Sequence, residues 1–247
     1  MEVFIKKQHS TLCNKDIKWY LSDQLLWITK YNEYADIEER IDKSVGSFNW
    51  LYPINDTILF NGEDRRFETA IIDLAGKIPI VTLEEIYPST KNEQRGDLFF
   101  AEKENYCDFE FSSPVVYMKE KDFLISFPVN LGEKDFLILF IADDFGFLIH
   151  NNQLVGWILK NASNHICTSQ ETVIISDNNQ DLAIMSDNNQ DLLGKYFDAL
   201  RLWDMSGEDE EGEVAITEIK SLMNVVANRK DALGLAIWEC IRNILEV

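Results

Sequence analysis

Histidine, cysteine and glycine are scarce in this chain of 247 residues, which has 3, 4 and 11 of them respectively. The glycines are scattered, and neither of the phosphate-binding spacings GxGxxG and GxxxxGK[ST] occurs. The GxSxG spacing of a nucleophile elbow is missing as well. These absences exclude the common nucleotide-binding loops and leave serine hydrolase chemistry without support.

The few cysteines and histidines are not spaced as metal ligands. Cys13, Cys107, Cys167 and Cys240 lie far apart without a Cys-x-x-Cys pair, so we expect reduced thiols. His165 and Cys167 are the one close pair of this kind, and two ligands fall short of a four-ligand zinc set. We therefore expect no metal and no cofactor.

Long apolar runs are also missing. No window approaches the roughly 18 uninterrupted apolar residues of a membrane span, and the start Met-Glu-Val-Phe-Ile-Lys-Lys lacks the apolar region of a signal peptide. The sequence therefore predicts a soluble cytoplasmic protein without a membrane association.

Basic residues are outnumbered by acidic ones, 23 against 43, so the formal charge is −20 and the isoelectric point is near 4.5. Such a field repels phosphate backbones and anionic membranes and attracts cationic partners. We expect no nucleic-acid binding and consider a basic protein the natural partner. A surface whose charge serves only solubility is the alternative, and the oligomeric state stays open.

The apolar fraction of 46% with 12% aromatic residues is sufficient for a core. We predict an α+β fold with an antiparallel β-meander in the middle of the chain, packed by N-terminal and C-terminal helices. Residues 1–247 form a single domain in this interpretation. A subdivision into a helical N-terminal subdomain 1–95 and a sheet-plus-helix region 96–247 is open, because the segment 89–96 is polar.

A tandem repeat is the most distinctive pattern: the segment Ser176–Leu182 recurs without change as Ser186–Leu192. Its alternating Asp and Asn match the first ligands of a helix-flanked calcium loop. The sixth position, however, is leucine rather than glycine, and the twelfth is Asn188 or Asp198 rather than glutamate. The repeat therefore predicts a turn in the first copy and a helix start in the second.

The N-terminal third is predicted to be mostly helical. Apolar spacing favours helices over residues 15–31, 36–43 and 63–75. The run 78–82 contains a proline, which cannot donate to a strand ladder, so it is predicted to be an edge strand.

The middle of the chain is predicted to form at least five antiparallel strands, because short Val-, Ile-, Leu- and Phe-rich runs alternate with turn-forming clusters. The runs are residues 114–118, 122–127, 135–141, 145–149 and 154–159.

The last part, residues 187–247, is predicted to be helical, with an acidic loop at 206–213. Apolar residues at helical spacing mark three buried stripes. They are Leu192, Leu193, Tyr196, Phe197, Leu200 and Trp203; Ile216, Ile219, Leu222, Met223 and Val226; and Leu233, Ile237, Ile241, Ile244 and Leu245.

Two hypotheses for function follow. The first is a protein that binds and neutralises a basic partner, most concretely a bacterial immunity protein that caps the basic active site of a toxin. The likeness is one of size, charge and cysteine usage, without a diagnostic motif. Acidic turns would supply the attraction. The candidate partner-binding residues are Asp143, Asp144, Glu208, Asp209, Glu210, Glu211 and Glu213.

The second hypothesis is an uncharacterised enzyme or small-ligand-binding protein with a pocket between the sheet and the helices. Tyr117, Phe127, Phe145 and Trp157 are the candidate lining residues, although aromatic residues of predicted strands are more often core. No catalytic residue is assigned. Carboxylate pairs are plentiful, and a pair can act in acid-base catalysis only if burial raises the pKa of one member. We favour the reading without enzymatic activity.

Overall fold

The computed structural model describes residues 1–6, 16–31, 33–48, 56–74, 80–81, 92–111, 113–128, 136–168, 186–205 and 210–245. The strands are β1 Val3–Lys6, β2 Ile17–Tyr20, β3 Leu25–Thr29, β4 Ser44–Ser47, β5 Thr57–Asn61, β6 Phe67–Asp73, β7 Ile80–Val81, β8 Glu93–Arg95, β9 Asp97–Phe100, β10 Val115–Met118, β11 Phe123–Ser126, β12 Leu137–Phe140, β13 Phe145–His150, β14 Gln153–Leu159 and β15 Ile166–Cys167. The helices are α1 Tyr34–Ile41, α2 Ser186–Met205, α3 Glu210–Val226 and α4 Ala232–Leu245. The fold is therefore α+β.

One sheet has seven strands in the order β7-β10-β11-β14-β13-β12-β8. The two edge pairs, β7 with β10 and β8 with β12, are parallel, and all inner pairs are antiparallel. All five strands predicted in the middle of the chain are present as β10 to β14. They do not form one continuous meander, because β11 pairs with β14 and not with β12. The sheet is thus mixed where the sequence predicted a purely antiparallel one.

A second sheet has six strands in the order β15-β2-β3-β6-β5-β4, and β1 and β9 form a separate two-stranded sheet. Only β15 and β2 are parallel in the six-stranded sheet. Most of this sheet comes from the first 73 residues, where the sequence predicted helices.

The predicted helix over residues 15–31 is wrong: the segment forms the hairpin β2–β3. Its turn ends at Gln24, whose φ of 54° is left-handed. Ile17 and Trp19 point into the core, whereas Lys18 and Tyr20 are half-buried on the other face. This alternation is typical of a strand. β3 also pairs with β6 on the side away from β2, so the hairpin is part of a larger sheet.

The predicted helix over residues 63–75 is also wrong. Residues 62–64 form a turn in which the Asn61 side chain accepts hydrogen bonds from the amides of Glu63, at 2.8 Å, and Asp64, at 3.2 Å. The chain then continues as β6, whose aromatic and β-branched residues favour a strand. The residues 75–76 expected to end the helix lie outside the described part.

Other expectations in the N-terminal part are confirmed. The helix predicted over residues 36–43 is α1, displaced by two residues. The predicted edge strand over 78–82 is β7, at one edge of the described seven-stranded sheet. In the polar segment 89–96, which was considered as a boundary, residues 93–95 form β8 at the other edge of this sheet.

The three C-terminal helices agree with the predicted stripes. Most of the predicted core residues are buried or half-buried, but Trp203, near the end of α2, is 38% exposed. The second copy of the repeat begins α2 at Ser186, as predicted, and the first copy lies outside the described residues. The predicted loop at 206–213 is wrong from residue 210 onward, because α3 begins at Glu210.

One core cluster joins both large sheets to α2, α3 and α4. Phe197 of α2 is its meeting point: its ring lies 5.9 Å from that of Trp19 in the six-stranded sheet. It lies 5.4 Å from the ring of Tyr117 in the seven-stranded sheet. The cluster draws on residues from both sides of the subdivision considered at residues 95–96, which itself stays a prediction.

Candidate functional site

The predicted acidic turn between β12 and β13 carries Asp143 and Asp144 at the edge of the seven-stranded sheet. Asp143 is exposed and forms an ion pair with Arg95, which ends β8. Both side chains are more than half exposed. An ion pair in water contributes at most about 1 kcal/mol, so it orients Asp143 without fixing it.

Asp144 is a structural anchor. Its carboxylate accepts a hydrogen bond from Asn161 Nδ2 at 2.9 Å and lies 3.1 Å from His165 Nε2. Its carbonyl accepts a hydrogen bond from the Lys160 amide at 2.7 Å. Since only 15% of the Asp144 side chain is exposed, this carboxylate mainly ties the turn to the short 3-10 helix Ala162–His165.

A lysine also lies close to this turn. Lys160 pairs with Glu93 at 3.1 Å, and its ammonium group lies 4.1 Å from the centre of the Phe140 ring. Acidic and basic groups therefore alternate around Asp143 and Asp144, and the turn is not a concentrated acidic patch.

The second predicted acidic group, residues 208–213, lies at the start of α3. Glu210, Glu211 and Glu213 are helical, whereas Glu208 and Asp209 lie outside the described residues. Acidic side chains in a first helical turn interact favourably with the helix dipole, which explains why α3 starts among them. Glu213 is exposed, and the Thr217 hydroxyl donates to its carbonyl at 2.8 Å. Residues 210–213 of the acidic run are thus helical and not part of a loop.

A third surface, which the sequence analysis missed, lies on the outer face of the six-stranded sheet. We define the aromatic face as Tyr20, Trp27 and Tyr34. The ring of Trp27 lies 5.4 Å from that of Tyr20, edge-on, and 6.5 Å from that of Tyr34, tilted. The alternation of polar and apolar residues around Trp19 and Trp27 was the available signal, but the helix prediction for this segment obscured it.

Carboxylates and cations border the aromatic face. Burial raises the pKa of Tyr34, and the charge of Glu38 adds to that rise. Burial also raises the pKa of Tyr31, as do Glu68 and Asp36, while Arg40 lowers it. The cations of Lys30 and Arg40 lie 5.3 Å and 4.9 Å from the centre of the Tyr31 ring.

The close His/Cys pair does not form a metal site with a third ligand. The Cys167 thiol lies 3.6 Å from the carbonyl oxygen of His165, whose ring faces Asp144. In the part of the chain that the structure describes, no group of three or more His, Cys, Asp or Glu side chains is arranged to hold a metal ion.

The aromatic residues considered as pocket lining are core residues. Tyr117, Phe145 and Trp157 belong to the cluster shared by the sheets and helices, and Phe127 belongs to a separate cluster of the seven-stranded sheet. The Tyr117 ring packs on Phe197, so side chains fill the space between the sheet and α2 at this position.

No family model, no curated protein and no solved structure matches the chain. Within the described residues, no helix combines the length and the apolar character needed to cross a membrane.

Proposed function

We propose that this protein binds and neutralises a basic protein partner, in the manner of an immunity protein. The observation that carries the proposal is the formal charge of −20. A charge of this size attracts a cationic partner over long distances and raises its rate of association. Of the predicted partner-binding acids, the run 208–213 would contribute most to that attraction, because Asp143 is paired with Arg95 and Asp144 is held by Asn161 and His165.

The distribution of carboxylates supports this proposal. Helices α1, α2 and α3 expose acidic side chains along their outer surfaces. Among them are Asp36, Glu38, Glu39, Asp198, Asp204, Glu213 and Glu218. Of these, Asp198 is balanced by a nearby cation, Arg201, at 3.6 Å. Exposed acids contribute little to folding stability. Their large number is therefore not explained by stability and is consistent with a role in recognition.

The alternative, an enzyme or small-ligand-binding protein, needs a pocket between the sheet and the helices. At Tyr117 that space contains Phe197. Asp144, the more buried of the two turn acids, is held by Asn161 and His165. These contacts favour a structural role for Asp144 and Tyr117 and support a binding function over the alternative.

The proposal is tested by capturing partners of the tagged protein from native lysate at about 50 and about 200 mM salt, a range over which non-specific charge binding weakens strongly. A single basic protein retained at both salt concentrations is expected. Its association and dissociation rates are then measured with the purified components. Recovery of only salt-labile background would contradict the proposal.

Two matched variants separate a specific acidic site from net charge. The first changes Glu208, Glu210, Glu211 and Glu213 to Gln and Asp209 to Asn. The second changes Glu2, Glu63, Glu104 and Glu120 to Gln and Asp108 to Asn, removing the same charge elsewhere. We expect the first variant to associate about tenfold more slowly than the second, because local charges steer the encounter. Equal rates would show that only the net charge matters.

A further inference from the structure

The outer face of the six-stranded sheet is only partly covered by α1. Ile37 and Ile41 of this helix pack over Leu59 of β5 and Ile71 of β6. Tyr20 of β2 and Trp27 of β3 lie beside this contact and are half-buried, and Tyr34 at the start of α1 is 44% exposed. Aromatic rings therefore line the margin between the helix and the adjacent strands.

The surface of α1 next to these rings is acidic. Residues 33–43 contain five carboxylates and two cations, which gives a net charge of −3. All five carboxylates are exposed; they are Glu33, Asp36, Glu38, Glu39 and Asp42. Glu38 follows Tyr34 by four residues on α1, so these two side chains share one face of the helix.

Aromatic rings next to carboxylates are suited to guanidinium and ammonium groups. A cation over a ring gains about 0.5 to 2 kcal/mol, and a carboxylate adds a charge-assisted hydrogen bond. The chain already uses this chemistry on Tyr31, which carries its own Lys30 and Arg40. Lys18 of β2 is the cross-strand partner of Trp27 in β3, so a lysine of the chain also stands beside the aromatic face.

Trp27 and Tyr31 also have unused polar atoms. The Trp27 Nε1 and the Tyr31 hydroxyl are buried, and neither has a hydrogen-bond partner in the described part of the chain. A buried donor without an acceptor costs free energy. Guanidinium and ammonium groups have no acceptor, so it is a backbone carbonyl of a bound segment that would remove the cost at Trp27 Nε1, after a small movement of the ring.

We infer that the aromatic face and the carboxylates of α1 form the contact surface for an arginine-rich or lysine-rich segment of the partner. This inference rests on the proposed function and names the place of contact. The rings hold the cationic side chains, and the carboxylates of Asp36 and Glu38 pair with them. In this arrangement the acidic run 208–213 raises the association rate, whereas the aromatic face lowers the dissociation rate of the complex.

The test uses a fluorescently labelled nona-arginine peptide and the full-length protein, with the affinity measured by fluorescence anisotropy. The test variant combines Tyr34→Ala, Asp36→Asn and Glu38→Gln. The control variant combines Phe4→Ala, Glu2→Gln and Glu104→Gln, so that it also loses one exposed ring and two carboxylates. Urea unfolding confirms that both variants are folded.

We expect the dissociation constant to rise about tenfold in the test variant and at most about twofold in the control. Tyr34→Phe alone retains the ring and is expected to bind like the wild type. With the captured partner, the test variant is expected to dissociate faster than the control variant, which has lost the same charge. Equal weakening in the test and control variants overturns the inference but leaves the proposed function standing.

Other occupants of the aromatic face give different results. Binding of an uncharged oligosaccharide that is lost with Tyr34→Ala, or a wild-type dimer in sedimentation that this substitution dissociates, would overturn the inference. Failure of the wild type to bind the peptide, together with no captured basic protein, would instead contradict the proposed function.

Discussion

Asp122 is an example of a single residue that holds several elements in place. It has a left-handed φ of 53° at the end of the short 3-10 helix Lys119–Lys121, and it is buried. Its carboxylate accepts hydrogen bonds from the Tyr117 hydroxyl at 2.9 Å and from the Ser163 hydroxyl at 2.7 Å. The Ser163 amide donates to it as well, at 3.1 Å. Burial, and next the nearby Asp122 charge, raise the pKa of Tyr117, which therefore stays a donor.

Replacing Asp122 with Ala is expected to destabilise the protein by about 3 kcal/mol, because Tyr117 and Ser163 then keep buried groups without partners. Urea unfolding of wild type and variant measures this difference. The control is Asp143→Ala, which breaks only the exposed pair with Arg95 and is expected to change stability by less than about 1 kcal/mol. A similar loss in both variants would show that the Asp122 network is unimportant.

Cys240 makes stability depend on pH in the alkaline range. Burial raises the pKa of its thiol to about 11, from an ordinary value of 9.0. Between these values the unfolded chain releases the proton and the folded chain keeps it, so stability falls as the pH rises. We expect the wild type to lose up to about 2 kcal/mol more than Cys240→Ala between pH 9 and pH 11.

The measurement is the urea midpoint of wild type and Cys240→Ala at several pH values from 8 to 11. Burial also raises the pKa values of Tyr117 and Tyr196. Tyr117 is common to both proteins, whereas Tyr196 is hydrogen-bonded to Cys240, so the difference between the two curves reports on the Cys240–Tyr196 pair. Parallel curves would contradict the assignment to Cys240.

At the scale of elements, two glycines should respond in opposite ways to the same substitution. A Cβ on Gly156 in β14 would lie 2.1 Å from the carbonyl oxygen of Ser126 in the paired strand β11. A Cβ on Gly194 in α2 would meet only the flexible side chain of Lys119, at 3.0 Å. Sheet pairing therefore requires the first glycine, whereas the second lies in the interior of the continuous helix α2.

We expect Gly156→Ala to destabilise the protein by about 3 kcal/mol, because the backbone of β11 or β14 has to move. Gly194→Ala is expected to be neutral or stabilising by up to about 1 kcal/mol, since alanine is the better helix former. Thermal unfolding of the two variants compares them directly. A Gly156→Ala variant as stable as the wild type would mean that the strands can separate at low cost.

The elements also differ in how far the sequence predicts them. The strands β10 to β14 were found because apolar runs alternate there with turn residues, and α2 to α4 because their stripes recur at helical spacing. The hairpin around Trp19 and Trp27 was misread as a helix. Its apolar residues fit both periods, and only the pairing of β3 with β6 decides between them.

At the scale of the whole molecule, α2 connects the two large sheets through Phe197. The start of this helix is therefore needed for the packing between the sheets. The helix begins within the second repeat copy. Deleting residues 177–186 joins Ser176 to Asp187 and restores one complete repeat before the helix.

We therefore expect the deletion of residues 177–186 to leave a folded protein, with a free energy of unfolding within about 1 kcal/mol of the wild type, since loop length has a small entropic effect. Circular dichroism with thermal unfolding measures it. The control deletes residues 187–196, which removes the first half of α2, and is expected to unfold the protein. A collapse of the first deletion would show that the duplication is structural.

The candidate surfaces also differ in how far the sequence predicts them. Composition revealed the excess of acids, and the local pattern located Asp143, Asp144 and the run 208–213. The burial of Asp144 against His165 depends on residues 21 positions apart and is invisible in a local pattern. The aromatic face depends on three separate elements and was missed entirely.

By itself, the sequence determined the α+β class, the acidic charge, the central strands and the C-terminal helices, because composition and local periodicity fix these. The tertiary structure alone decided the order of the strands, the strand state of residues 17–29 and 67–73, and which charges are paired. These depend on contacts between residues far apart in the chain, where burial of one face against a partner selects among conformations that the local sequence leaves nearly equal in free energy.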